Sequence, residues 1–391
     1  MNGATSEAEH LATEALERLF KAGSRLDAGV SSRAPALTES RLGPYRALPS
    51  LKDKESFEAV MLHAQAEGAV RLIRPRHDPA GMIERVELVD LGRLAIVLGR
   101  PTHAAIVANA QARLQPWLAS FPLLAEVVER WAKLKTVRSS GPERFQDWVD
   151  ACRVINYCRE QGESDIPVRD ASARLFQDSK RIEALTAQLD VLLQDDLSTP
   201  PRPDFQVLQE IGLFREPLAA HMSGDLVVRR ERGAFPLDRP YCALPPSTVI
   251  SLESTPSRVL TVENLTTFHV QARALCDSDV LCIYTGGMPS PAWVAMYQRL
   301  LASVPLTVPI QHWGDMDEGG FRIAAFLARA AAQQGHCLRP ERMAPTDVPP
   351  ERCRLAEPGT VTRMVKFARA AGWDDLAAKL GQAGVVAEQE G

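Results

Sequence analysis

Glu263, Asp315 and Asp317 are the residues whose types and spacing could do chemistry. Asp315 and Asp317 stand two apart in HWGDMDEGGFRI (312–323), after the apolar run VPIQHW and before the helical run FRIAAFLARAAAQQ; Glu263 closes RVLTVEN (258–264). Each acid follows a strand-like stretch, and in an open parallel sheet functional groups gather at the C-terminal ends of strands. If the strands are neighbours, three carboxylates meet on one rim. They cannot all stay ionised in a partly buried cleft without a counter-charge, because like charges raise one another's pKa. A hard divalent cation supplies that charge. Mg²⁺ accepts one or two carboxylates, keeps several waters and commonly pairs with phosphate, with Mn²⁺ as a substitute. Neighbouring glycines let backbone, metal and phosphate approach closely. An isolated acid-x-acid pair says little in a chain with 49 acids. The position after an apolar strand and before a helix is what carries the signal.

The elements that position these acids repeat. RVLTVEN, VLCIYTGG (280–287) and PIQHWGDMD (309–317) are apolar, β-rich runs, each followed by a helical pattern: LTTFHVQARAL, PAWVAMYQRLLAS and GGFRIAAFLARAA. Strands buried on both faces read as continuous apolar runs, and βαβαβα alternation predicts a parallel sheet covered by helices. This domain is expected over 246–391. Upstream, FQDWVDACRVINYCRE (145–160) is an amphipathic helix, 165–194 reads as two more, and GDLVVRRERGAF (224–235) as a β-wing. Three helices and a wing predict a winged-helix domain over 141–245, with helix 179–194 entering a DNA groove. Its candidate DNA contacts are Arg169, Arg174, Lys180, Arg181, Arg229 and Arg230. The competing reading is a solvated face, since acids outnumber bases in this region. At the N-terminus, residues 6–22 place Leu11, Ala15, Leu16, Leu19 and Phe20 at helical spacing. A helix near 53–67 follows, then the β-like runs AVRLIR and RVELVDL around HDPAG. This predicts a second winged-helix-like domain over 1–103, joined by a helical arm (104–140) that Pro116 and Pro122 interrupt. The expected fold is thus multidomain, α+β and α/β.

Composition bounds the setting. A chain of 391 residues, 45% hydrophobic and 24% charged, has the make-up of a globular protein of two to four domains. Its net charge of -4 neither demands nor excludes nucleic acid. The seven cysteines are dispersed with no CxxC pair, as reduced thiols in a cytoplasm would be. MNGATSEAEHLATEAL has no secretory h-region, and no apolar run approaches the roughly 18 residues of a membrane span. The expectation is a cytoplasmic protein with no membrane partner.

Glu263 after one strand and Asp315-Met316-Asp317 after a later one resemble the toprim domain of topoisomerases, DnaG-type primases and several nucleases. The finer features VENLTTF, YTGGMP and HWGDMDEGGFRI are similar to the topoisomerase VI A subunit, and more so to JetD, the nuclease subunit family of Wadjet plasmid-defence systems. The resemblance covers roughly 140–335, taking in the CAP-like winged helix and the toprim sheet. It implies that Glu263, Asp315 and Asp317 bind Mg²⁺ and act on phosphodiester bonds of double-stranded DNA. It further implies a two-fold homodimer working with an SMC-type motor complex that selects circular or plasmid DNA. One departure matters. Where the topoisomerase VI A family carries its nucleophilic tyrosine, this chain has Arg169-Asp170-Ala171-Ser172-Ala173. Tyr157 lies a helix earlier, and Ser172 has no obvious base beside it. Without that nucleophile a covalent intermediate loses its basis, and a metal-activated water makes the reaction hydrolysis. Glu263 then either completes the metal site or helps deprotonate the water. The alternatives are a topoisomerase VI A-like strand-transfer subunit and a non-catalytic toprim DNA-binding regulator. His269 and His312 flank the acids in sequence. Arg322 is a surface or DNA-contacting residue, Trp313 a core residue, Glu318 a helix N-terminal acid, and Glu253 has no assigned role.

Overall fold

The computed structural model describes residues 6–78, 81–162, 164–216 and 219–389, so Pro79 and Ala80 of the HDPAG turn lie outside it. The architecture is mixed α+β. The chain divides into two compact units, Met1–Cys152 with Ala187–Pro200, and Arg153–Thr186 with Pro201–Gly391.

In the first unit the helix Glu7–Asp27 starts at a capping box, Ser6 and Glu9 exchanging side chain-to-backbone hydrogen bonds. Its buried stripe of Ala8, Ala12, Leu16, Leu19 and Phe20 packs with Phe57, Met61 and Ala64 of the helix Leu51–Ala66. Val70–Ile73 and Arg85–Leu88 pair antiparallel as expected, and Ala36–Leu37, from the turn-rich stretch, adds a third strand. Pro116 and Pro122 divide the 104–136 tract into the helices His103–Leu114 and Leu123–Ala132, as residues without an N–H donor do. Trp131 and Trp148, both fully buried, meet edge to face, and both indoles donate to Ser140.

The second unit is built on one six-stranded sheet. Its strands are β1 (Ala220–Ser223), β2 (Cys242–Leu244), β3 (Arg258–Val262), β4 (Val280–Tyr284), β5 (Ile310–Trp313) and β6 (Leu338–Pro340), in the order β6-β5-β3-β4-β1-β2. The first four in that order are mutually parallel, and β1 and β2 are added antiparallel on one edge. Helix α1 (Leu265–Leu275) follows β3, α2 (Pro291–Ala302) follows β4 and α3 (Glu318–Ala332) follows β5. Alternation along the strands divides the two faces. Leu260, Val262 and Cys282 pack with Phe268 and Ala272 of α1. Val259, Leu281, Ile283 and Ile310 pack with Met296, Leu300, Ile323 and Leu327 of α2 and α3. Helices Pro358–Ala370 and Asp374–Ala383 pack on Phe321 and Ala324 at the α3 end.

The region 224–235 forms a hairpin, Val227–Arg230 with Gly233–Pro236, extended by Val249–Leu252. The helix expected over 179–194 is not continuous. The Ser172 hydroxyl donates to the Asp178 carbonyl and accepts from Ile182 N, and the Asp178 carboxylate accepts from Lys180 N. Residues 178–182 are thereby held as a turn, and the α-helix begins only at Thr186.

Candidate functional site

The connections leave β3 toward β4 and β5 toward β6, on opposite sides of the β3–β5 pair. This is a topological switch point, and open α/β sheets place ligands in the crevice that such a divergence opens at the carboxyl strand ends. Val262 is level with Trp313 on β5 and with Tyr284 on β4. The residues that follow, Glu263 and Gly314-Asp315, therefore leave the sheet side by side at that crevice.

The contacts there are specific. Glu263 N donates to the Trp313 carbonyl at 3.0 Å, and the Glu263 carboxylate accepts from Asp315 N at 3.2 Å. Asp317 is the N-cap of α3 and accepts from Gly320 N at 2.8 Å. Gly320 has to be glycine, since a Cβ would stand 2.1 Å from the Asp315 carbonyl oxygen. Burial pushes the Glu263 carboxyl up to about 8, and the charges of Asp315 and Asp317 add to the effect. Asp317 is also raised by burial, while the amides of Gly320 and Gly319 work against the rise. Carboxylates whose charges raise a buried neighbour's proton affinity have the donor chemistry of a hard-cation site. Among the described residues, no three His, Cys, Asp or Glu side chains yet converge as a ligand cage. The contacts explain why: Asp317 is turned to its helix amides, and Asp315 Oδ1 accepts from Gln389 N at 2.5 Å.

Gln389 escaped the sequence reading. Its side chain links the ends of both strands, accepting from Asn264 N at 2.7 Å and donating to the Trp313 carbonyl at 2.5 Å. Met316 and Ala387 form a backbone bridge beside it. No pattern in the terminal run VVAEQEG advertises this contact. Tyr284 was also unassigned. Its phenol is raised by burial and then by the charge of Glu263, and its ring packs on Phe268 and His221.

The remaining candidates have definite places. His312 is fully buried on the α3 face of the sheet, and His269 lies against Tyr241. Arg342 sits over the ring of the half-buried Trp313. Arg322 contacts both oxygens of Glu210 at 2.7 and 2.8 Å, so it braces the fold. Glu318 pairs with Arg363 at 2.7 Å, and Glu253 pairs with Arg229 on the wing. Arg169, Arg174 and Lys180 are exposed; Arg181 and Arg230 are partly buried. Among the described residues, the buried Tyr157 hydroxyl has no hydrogen-bond partner. The Ser172 hydroxyl is committed to the 178–182 turn.

Residues 222–341, which include all three acids, match the family described as Wadjet protein JetD, C-terminal. The Wadjet protein JetD of Bacillus cereus (strain Q1) is 28% identical over 180 residues, 43% of this chain and 42% of that relative. The aligned part thus spans less than half of the relative's length. The similarity to JetD is shown for the part of the chain that carries the acids. No described helix is long and apolar enough to cross a membrane.

Proposed function

We propose that this JetD-like chain is a metal-dependent endonuclease that hydrolyses plasmid or other circular double-stranded DNA. In this reading it is the effector of a Wadjet-type defence system and works with an SMC-type motor complex. The observation that carries the proposal is the placement of Glu263, Asp315 and Asp317 just beyond neighbouring strand ends at the β3–β5 switch point, with the Glu263 carboxyl raised by burial and then by the charges of the other two acids. Held by these acids, Mg²⁺ or Mn²⁺ would polarise a DNA phosphate and lower the pKa of a bound water. Asp317, fixed by its cap on α3, and Asp315, set against the β3 end, supply the oxygen donors. Glu263, whose proton affinity burial raises, would either join the donors or, once ionised, take a proton from the attacking water.

Within this reading 246–391 is a toprim-type domain, 141–245 a CAP-like winged helix whose wing is the hairpin at 227–236, and 1–103 a winged-helix-like domain with its arm at 104–140. Arg169, Arg174, Lys180, Arg181, Arg229 and Arg230 face DNA phosphates. A two-fold homodimer would present one site to each strand of the duplex.

Hydrolysis is favoured over strand transfer because Arg169-Asp170-Ala171-Ser172-Ala173 holds no tyrosine. A nucleophilic phenol needs a lowered pKa or an adjacent base, whereas Tyr284, which feels Glu263, is pushed the other way. The test is a denaturing gel of plasmid products formed with Mn²⁺. Free DNA ends support hydrolysis, and a protein–DNA adduct abolished by Tyr157→Phe or Tyr284→Phe would replace it with strand transfer.

A further inference from the structure

The acids do not exhaust the polar groups at the crevice. His312, at the end of β5, is fully buried, and among the described residues its Nε2 has no hydrogen-bond partner while Nδ1 lies 2.9 Å from Thr261 Oγ1. The Thr261 hydroxyl has one proton, and the Gln311 carbonyl 3.2 Å away can accept it. Two assignments are open. If Thr261 donates to Nδ1, one hydrogen bond forms and a buried Nε2–H is left without an acceptor. If Thr261 donates to Gln311 and Nδ1–H donates to Thr261, both bonds form and Nε2 carries a bare lone pair. The second assignment satisfies more groups and is preferred.

Nε2 and the Glu263 carboxylate border the same point beside Gly314. A Cβ on Gly314 would lie 2.8 Å from His312 Nε2 and 2.7 Å from Glu263 Oε2. Glycine at 314 therefore leaves open a corner bounded by one imidazole nitrogen and one carboxylate oxygen. A buried lone pair and a buried carboxyl facing one corner are what a cation site looks like to its ligands. Mg²⁺ needs no nitrogen donor, whereas imidazole suits first-row transition ions.

We propose that His312 Nε2 is a protein ligand of the cation at this site, so that a first-row transition ion held between His312 and Glu263 is preferred over Mg²⁺. The inference rests on the metal-dependent reading above and adds a nitrogen to its oxygen donors. Because His312 hangs from Thr261 through Nδ1, ring orientation and tautomer are set before any ion arrives, as outer-shell partners of metal-bound histidines do elsewhere.

The experiment uses the full chain and Mn²⁺, whose unpaired electrons report a bonded nitrogen. Electron spin echo modulation is recorded on the Mn²⁺-loaded protein, and Mn²⁺ and Mg²⁺ affinities are measured by titration calorimetry. The variants are His312→Asn, which keeps an amide near Nδ1 but removes Nε2, His312→Gln, which restores a polar atom near Nε2, and Asp315→Ala. Expected are ¹⁴N modulation in wild type, at least tenfold tighter binding of Mn²⁺ than Mg²⁺, and loss of both in His312→Asn with the thermal midpoint within a few degrees of wild type. His312→Gln recovers part of the preference. Mn²⁺ that binds in an Asp315-dependent way without ¹⁴N modulation overturns the His312 ligand and leaves the nuclease reading standing. No ion binding in any protein overturns both. Modulation as expected with no DNA cleavage under any condition keeps the ligand and removes the nuclease.

Discussion

At the residue scale the account turns on Glu263. Its folded-state pKa, about 8, lies above the ordinary 4.5, so the folded protein holds this proton more tightly than the unfolded chain does. The stability this contributes is fully present below pH 4.5, is lost as pH rises toward 8 and is constant above that. Metal-free protein in chelator should lose on the order of 5 kcal/mol through this group across that window, and Glu263→Gln should not. Urea unfolding of both proteins at pH 5 and pH 9 measures the difference. Equal pH dependence in the two would show that Glu263 is not the strained acid. Gln389 makes a smaller claim. Gln389→Ala removes the partners of Asn264 N–H and the Trp313 carbonyl, and should cost about 1–2 kcal/mol in the same experiment.

At the element scale the site depends on how closely α3 approaches the Asp315 loop. Gly320→Ala forces a Cβ against the Asp315 carbonyl. The expected outcome is a loss of about 1–3 kcal/mol by overpacking, with weaker Mn²⁺ binding because the loop must shift; unchanged Mn²⁺ affinity would show that the loop does not position the ion. This is also the scale at which the sequence was most legible. Strands β3, β4 and β5 are continuous apolar runs because helices cover both their faces, and each is marked by the helix pattern after it. The switch point was less visible, since strand order depends on packing rather than on local pattern. Strands β1 and β2 were missed: AHMS and CAL are short edge segments with neither alternation nor a long apolar run. The 179–194 helix was overestimated because a helical pattern cannot reveal that Ser172 and Asp178 tie the following residues into a turn. At the site, the three acids could be read from their places after strands. Gln389 could not, because its contacts span more than seventy residues and its neighbours carry no motif.

At the scale of the whole molecule, the chain is acidic overall, so the proposed DNA binding would have to come from local patches. Replacing Arg169, Arg174, Arg229 and Arg230 together by Glu should weaken duplex binding uniformly across sequences and flatten its salt dependence by several counterions. Fluorescence anisotropy over a range of salt checks this, and an unchanged slope would assign these arginines to a solvated face. The measurement that tests the central claim most directly is cleavage of a supercoiled plasmid by purified wild-type protein and Asp315→Ala side by side. Each is assayed with Mn²⁺ and with chelator, alone and with the proposed motor complex. The account predicts nicked and linear products from wild type only, abolished by the chelator and by Asp315→Ala. Cleavage by Asp315→Ala at the wild-type rate, or in chelator, would contradict it.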